Sequence, residues 1–503
     1  MTPPTEVLDA PAATEAASSP GPASAQAQRQ LPVVIQGGMG VAVSSWPLAR
    51  AVAQHGGLGV VSGTALDVVI ARRLQDGDVG GHIRRAAGHF PLPGVADRVI
   101  DRYLRPDGRA GRPYRPVPRL RLDPRPADVE LAVFANFAEV WLARQGHDGL
   151  VGINFLEKVQ LATPAAAYGA MLAGVDFVLM GAGIPTEIPV LLDGLAVHRP
   201  VRLSVHVDNA SREHEVRFDP AVLVGADALP ALVRPQFLAI VSAHVLASYL
   251  ARDAATRPDG FVIEAPAAGG HNAPPRGKLA LDSNGEPIYG RRDVPDLDQI
   301  AALGLPFWLA GSRGTPEQVA DALATGATGV QVGTLFALSA ESGFTDELRR
   351  GLLDRLHGDA LHVRTDPLAS PTGFPFKVTD LPATLSDADR YETRPRLCDL
   401  GYLRVPFEHA DGSVGYRCPG EPVQAFVRKG GDPDEAMGRK CLCNGLTANV
   451  GLAQVRLDGY TEVPLVTLGA DLGGARRLLA DHPGGWTAAQ AVDWLQSSVR
   501  RAR

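Results

Sequence analysis

Eight consecutive residues, Glu264-Ala265-Pro266-Ala267-Ala268-Gly269-Gly270-His271, bring together an acid, two adjacent glycines and a histidine. Glycine lets main chain approach a ligand closely, and histidine is the side chain whose ordinary pKa lies nearest neutrality. The chemistry this spacing suits is proton transfer at a ligand held against backbone. His271 is the candidate catalytic group and Gly270 a candidate contact to the ligand. Glu264 reads equally well as a helper carboxylate or as a structural acceptor for loop N–H groups.

A second set of residues suits phosphate. Gly311-Ser312-Arg313-Gly314 runs into Thr315, Pro316 and Gln318, which fit an N-cap, a first helical position and a capping-box partner. Gly333-Thr334 ends the next apolar run. Glycine loops followed by a helix N-terminus offer backbone N–H groups and a favourable dipole to an anion without needing lysine. No stretch, Gly37-Gly38-Met39-Gly40 included, makes a strand-linked G-x-G-x-x-G, so the dinucleotide fingerprint is missing. A third set is Cys398, Cys418, Cys441 and Cys443, all in the last quarter. Four thiolates can hold zinc or an iron–sulfur cluster. The spacing lacks a C-x-x-C knuckle, and reduced, partly buried thiols are the plainer reading.

Positioning these residues takes a regular scaffold. Short apolar runs at 32–36, 58–62, 150–154, 177–180, 237–241, 261–264, 306–310 and 329–333 read as buried parallel strands. Helical stretches fall between most of them, for example Ser44 to His55 and Asn136 to Gln145. Val201 to Val207 alternates and reads as part of a side hairpin. Eight strands in this rhythm predict a (β/α)8 TIM barrel with an insertion after strand 2 and a C-terminal extension. A doubly wound sheet is the rival. Glycines recurring after strands one, four, six, seven and eight favour the barrel, because barrel sites are built at those strand ends.

The expected organisation is a disordered tail over 1–30, a barrel over 31–345 with an insertion at about 67–126, and an extension over 346–503. The tail is rich in Ala, Pro, Ser and Thr, unlike a secretory signal. The insertion is dense in Arg, Gly and Pro around Arg112-Pro113-Tyr114-Arg115-Pro116, which reads as a solvated or acid-paired surface. Past Thr345 the rhythm is lost. Phe374-Pro375-Phe376-Lys377 and Arg394-Pro395-Arg396 read as loops, and Thr487 to Val499 as an amphipathic helix.

Composition sets limits. Apolar residues make up 45% and charged residues 21%, as in a globular domain. The net charge of −6 argues against a nucleic-acid binder. No apolar run reaches the roughly 20 residues needed to cross a bilayer. The expectation is a cytoplasmic protein with a small-molecule substrate, no membrane or nucleic-acid partner, and a possible homo-oligomeric state.

Gln36-Gly37-Gly38-Met39, Gly57-Leu58-Gly59-Val60-Val61-Ser62, Gly152-Ile153-Asn154, Gly269-Gly270-His271 and Gly329-Val330-Gln331-Val332-Gly333-Thr334 occur in that order. Over about residues 31–345 the set resembles the nitronate monooxygenase (2-nitropropane dioxygenase-like) family of FMN barrels. The resemblance implies FMN, with its phosphate at Gly311, Gly314, Gly333 and Thr334. It implies Gly38, Met39, Asn154, Gly270 and Gln331 around the ring or ribityl chain. His271 then binds the nitro or nitronate group and accepts the α-proton of a nitroalkane, with O2 as co-substrate. Two features depart from the family. Gly37-Gly38 stands where a proline usually precedes Met39, and Asn272 to Pro275 intervene before Arg276-Gly277. The wider group includes FMN enoyl reductases that use NAD(P)H in fatty-acid or polyketide synthesis, and enoyl reduction is the alternative. A flavin-bound scaffold without catalysis is the second alternative.

Overall fold

Each expected strand forms, because a run of four to six apolar residues too short for a helix can bury both faces only inside a parallel sheet. In the computed structural model, which describes residues 30–501, the strands are β1 (Val34–Gln36), β2 (Gly59–Ser62), β3 (Val151–Leu156), β4 (Phe177–Gly181), β5 (Gln236–Val241), β6 (Gly260–Glu264), β7 (Phe307–Ala310) and β8 (Gly329–Val332). Apart from Gln30, the tail expected over 1–30 lies outside the described residues.

All neighbouring strands pair in parallel, from β2 through β3 to β8 and on to β1. A parallel bridge between Ile35 and Leu58 closes the ring. The seam explains the buried Gln36, which has no accessible surface. Its amide oxygen accepts from Val60 N at 3.0 Å and its nitrogen donates to Val60 O at 3.1 Å, replacing ladder bonds where β1 is short. The same nitrogen donates to Ser44 Oγ at 2.8 Å, and Ser44 Oγ accepts from Met39 N at 2.9 Å, so the first loop is pinned to the seam. Val201–Val205 and His214–Phe218 form the expected hairpin beside the barrel.

The insertion holds helices at Leu66–Gln75, His82–Ala87 and Val95–Tyr103, then an extended stretch. Tyr114 at its centre is 2% exposed, with Arg72 and Arg109 over its ring at 4.9 and 4.1 Å. Arg109 also pairs with Asp76 at 2.8 Å, so the arginines are paired within the fold. The helix expected from Asn136 runs from Pro126 to Arg144. Pro126 occupies its first turn, and the helix is buried on nearly every side, which hides the usual amphipathic stripe.

The extension is less regular. Contrary to the expected loop, Phe376–Thr379 is a strand, paired antiparallel with Val363–Asp366. The last helix spans Ala488–Arg501, and Ala488, Ala491, Val492 and Leu495 have no accessible surface. It packs on the helices Trp46–Gln54 and Pro316–Ala324. The described residues from Pro32 onward form one compact unit. No helix among the described residues is long and apolar enough to cross a membrane.

Candidate active site

One large cavity, about 1700 Å3 counting its mouth, opens at the C-terminal ends of the strands, where barrel sites lie. Gly38, Met39, Asn154, Gly270, His271, Gly311, Gly314, Gln331, Gly333 and Thr334 all line it, and so does Glu264. Three strained backbone positions lie on the same rim. Ala65, Ala182 and Ser312, in the loops after β2, β4 and β7, have φ of +58°, +60° and +53°, a region that side chains other than glycine rarely adopt.

The barrel wall of the cavity is mostly main chain in close contact. A Cβ at Gly38 would lie 2.3 Å from Asn154 Cβ, so the first loop rests directly on β3. Gly311 has φ +83°, and a Cβ there would meet Ala268 N at 3.1 Å. Thr315 caps Pro316–Ala324 through its side-chain oxygen, which accepts from Gln318 N at 3.3 Å. The reciprocal half of the expected capping box is not made. The Gln318 amide reaches instead toward Asp471 at 3.4 Å, in a segment the sequence placed nowhere near it.

That segment is the main surprise. The extension crosses the cavity and supplies Tyr402, Cys443, Thr467, Gly469 and Gly474 to its lining. A Cβ at Gly474, at the start of the helix Gly473–Asp481, would sit 1.9 Å from the Gly314 carbonyl, so only glycine fits. Gly469 N donates to Thr334 Oγ1 at 3.0 Å, leaving that hydroxyl to donate into the cavity. Gly270 N donates to Thr467 Oγ1 at 2.9 Å, and Lys377 N donates to Gly270 O at 2.9 Å. The glycine-glycine-histidine loop is thus held from both sides by the extension. Nothing periodic in the sequence announces these contacts.

His271 packs edge-on against Phe376, ring centres 4.9 Å apart, and its Nε2 hydrogen-bonds Ser370 Oγ at 2.7 Å. Ser370 is fully buried and also bonds Thr372 Oγ1 at 2.8 Å. Nδ1 makes no hydrogen bond among the described residues. Burial, aided by the Lys158 charge, pushes the imidazole down to about 4, so it is neutral at pH 7. Burial acts on Glu264 in the opposite sense and lifts its carboxyl to about 8. That carboxyl has no hydrogen-bond or ion-pair partner among the described residues. The cavity therefore presents a neutral imidazole and a protonated acid.

The cysteines correct one expectation. Among the described residues no group of three or more His, Cys, Asp or Glu side chains could hold a metal ion. The zinc or iron–sulfur site at Cys398, Cys418, Cys441 and Cys443 does not form, and all four thiols are free. Cys398 and Cys418 hydrogen-bond each other, which lowers the pKa of the first and raises that of the second. Burial lifts Cys441 to about 11 and raises Cys443 as well. The thiol form is thus favoured at Cys418, Cys441 and Cys443 but not at Cys398.

The residues present fit a flavin phosphate and ring. The fit rests on the side-chain-free backbone that Gly314 and Gly333 present to the cavity, and on two buried polar atoms without partners, Gln331 Oε1 and Arg313 Nε, both on residues lining the cavity. The parallel eight-stranded barrel, with its cavity at the C-terminal strand ends, has the TIM-barrel fold, and an acid and a histidine stand on the cavity wall. Residues 218–366, which carry Glu264, His271 and the last two strand loops, match the nitronate monooxygenase family. Over 242 residues, 44% of this chain and 63% of the relative, the sequence is 26% identical to the 5-hydroxy-7a-methyl-1-oxo-octahydro-1H-indene-4-carboxyl-CoA dehydrogenase of Mycobacterium tuberculosis. Among solved structures, FabK from Thermotoga maritima is 15% identical with a TM-score of 0.48, covering 96% of this chain and 97% of that one. A nitroalkane oxidase from Streptomyces ansochromogenes is 16% identical with a TM-score of 0.46, covering 94% and 96%.

Proposed function

We propose that the protein is an FMN-dependent reductase that saturates the α,β-double bond of an enoyl thioester at the expense of NAD(P)H. The observation that carries this reading is the unpartnered, protonated Glu264 on the same cavity wall as a neutral His271. Reduction of a conjugated double bond needs a proton donor at neutral pH, and a carboxyl titrating near 8 is one. Oxidation of a neutral nitroalkane needs a base, and an imidazole held near 4 is a weak one. The thioester class rests on the mycobacterial relative, whose name is that of a carboxyl-CoA dehydrogenase.

FMN, when bound, supplies hydride transfer between nicotinamide and substrate. Gly311, Gly314, Gly333 and Thr334 would hold its phosphate, and Gly38, Met39, Asn154, Gly270 and Gln331 would surround its ring and ribityl chain. His271, with Nε2 occupied by Ser370, turns Nδ1 to the thioester carbonyl oxygen. Glu264 gives its proton to Cα as hydride arrives at Cβ. The extension excludes water by covering the mouth.

The family match favours a second reading, nitronate oxidation with O2, in which His271 binds the nitronate. One experiment separates the two. The anaerobic flavin-loaded enzyme is mixed with NADPH or with propionate 3-nitronate. Bleaching of the flavin by NADPH, with reoxidation by crotonyl-CoA, is expected. Bleaching by the nitronate alone, followed by O2 uptake, overturns the reductase reading, and a protein that takes up no flavin overturns both.

A further inference from the structure

Glu264 borders two cavities. Besides the main cavity, it lines a small second one together with Ser242, Asn272, Arg276, Tyr289 and other residues of the following loop. About 20 Å3 of this cavity is open to the centre of a water molecule, room for about one water. Arg276 and Pro274 at its rim are exposed, so it communicates with solvent.

Its polar lining is under-used. Asn272 is 2% exposed, yet its Oδ1 is buried without a partner. Its Nδ2 already donates to Ala268 O at 3.0 Å, so turning the amide over would only exchange one unpaired atom for another. Tyr289 donates its hydroxyl proton to Ala273 O at 3.0 Å and keeps its oxygen lone pairs. A buried unpaired acceptor costs about 1–3 kcal/mol unless water or a ligand pairs it. Asn272, Tyr289 and Glu264 all line this cavity, so a single water in it would find polar side chains within the two to four partners it needs.

We propose that this outer cavity is a one-water proton port, through which Glu264 is reprotonated from solvent while the main cavity is covered. The cycle balances. Glu264 gives a proton to Cα as the hydride from NAD(P)H reaches Cβ, and the π bond becomes two C–H bonds. The carboxylate then takes a proton from the water in the port, and that water takes one from bulk solvent.

The role of Glu264 in turnover rests on the reductase reading, but the port is tested without it. In the flavin-loaded enzyme the infrared C=O stretch of the Glu264 carboxylic acid is identified by its loss in Glu264→Gln, and its exchange is timed after transfer to D2O. Ser242→Leu, which plugs the outer cavity, slows that exchange several-fold. Ala273→Leu plugs the same cavity from the other wall and serves if the first variant does not fold. Unchanged exchange in a folded plugged variant, or no such acid band in the native enzyme, overturns the port. A port that passes this test in an enzyme with no enoyl reduction stands by itself and removes only the reading above. Where reduction is present, plugging lowers kcat, leaves KM unchanged and enlarges the solvent isotope effect.

Discussion

In the barrel, the cavity wall is backbone: glycines after β1, β6, β7 and β8 bring main chain to the ligand, and strand pairing fixes each loop. In the C-terminal extension, the wall is a clamp. Ser370 orients His271, Thr467 and Lys377 hold Gly270 from either side, and Gly474 fits against Gly314. The barrel alone would leave the histidine loop without these partners. A general scaffold can thus be made specific by a covering layer that touches the reacting residues directly and leaves the strands untouched.

The insertion belongs with the clamp. Tyr402 of the extension donates a short hydrogen bond to the buried Asp67, Tyr114 N donates to Gln454 Oε1 at 2.9 Å, and Arg72 reaches Leu452 O at 2.5 Å. Residues 67–126 therefore buttress the cover.

The comparison is broken most severely by removing the cover. A chain ending near Thr345 exposes the faces that now bury Leu465, Val466 and Leu495, and it is expected to lose flavin binding entirely, as read by flavin fluorescence. His271→Ala is expected to lower turnover about a hundredfold, the scale for losing a group that acts on the reacting atoms, measured as kcat/KM for crotonyl-CoA. Gly474→Ala drives a Cβ into the Gly314 carbonyl, and overpacking of about 1–3 kcal/mol weakens flavin binding roughly five- to 150-fold by titration. Ser370→Ala removes one neutral hydrogen bond, about 0.5–1.5 kcal/mol, and lowers turnover up to about tenfold without changing flavin affinity.

A titration sharpens the same contrast. Glu264 is raised from 4.5 to about 8, so the fold holds its protonated form. Its contribution to stability is complete below about pH 4.5 and is lost as pH rises through about 8. The melting temperature of Glu264→Gln, relative to wild type, is expected to increase from pH 5 to pH 9. His271 has the opposite sign. Lowered to about 4, it costs stability as pH falls below 6.5 toward 4. Turnover needs both groups uncharged, so it is expected to be flat between about pH 5 and 7 and to decline above 8.

The sequence was most legible where structure is local. Phe261–Ile263 and Val330–Val332 could be read as strands from four or five residues, since an apolar run bounded by glycine and acid has few other ways to be buried. The cap at Thr315 was equally local. The helix Pro126–Arg144 was read short because its burial on all sides leaves no stripe. Phe376–Thr379 was missed because a four-residue strand beside Pro375 carries almost no periodic signal, and its partners are the equally short strand Val363–Asp366 and a single bridge to His271 in the barrel. At the cysteines the plainer reading, free thiols, is what the fold shows: residue types alone do not set whether side chains take up a metal-binding geometry.

By itself, then, the sequence determined a glycine-lined TIM barrel and which of its loops face the cavity, because strand, turn and cap preferences act over a few residues. It also determined that an acid and a histidine flank the end of β6. Only the tertiary structure decided what those two groups are. Ser370 lies 99 residues from His271, and Thr467 lies 197 from Gly270. Contacts at that distance leave no pattern along the chain. The burial that makes His271 neutral comes in part from Ser370 and Phe376 of the extension, and no local preference encodes it.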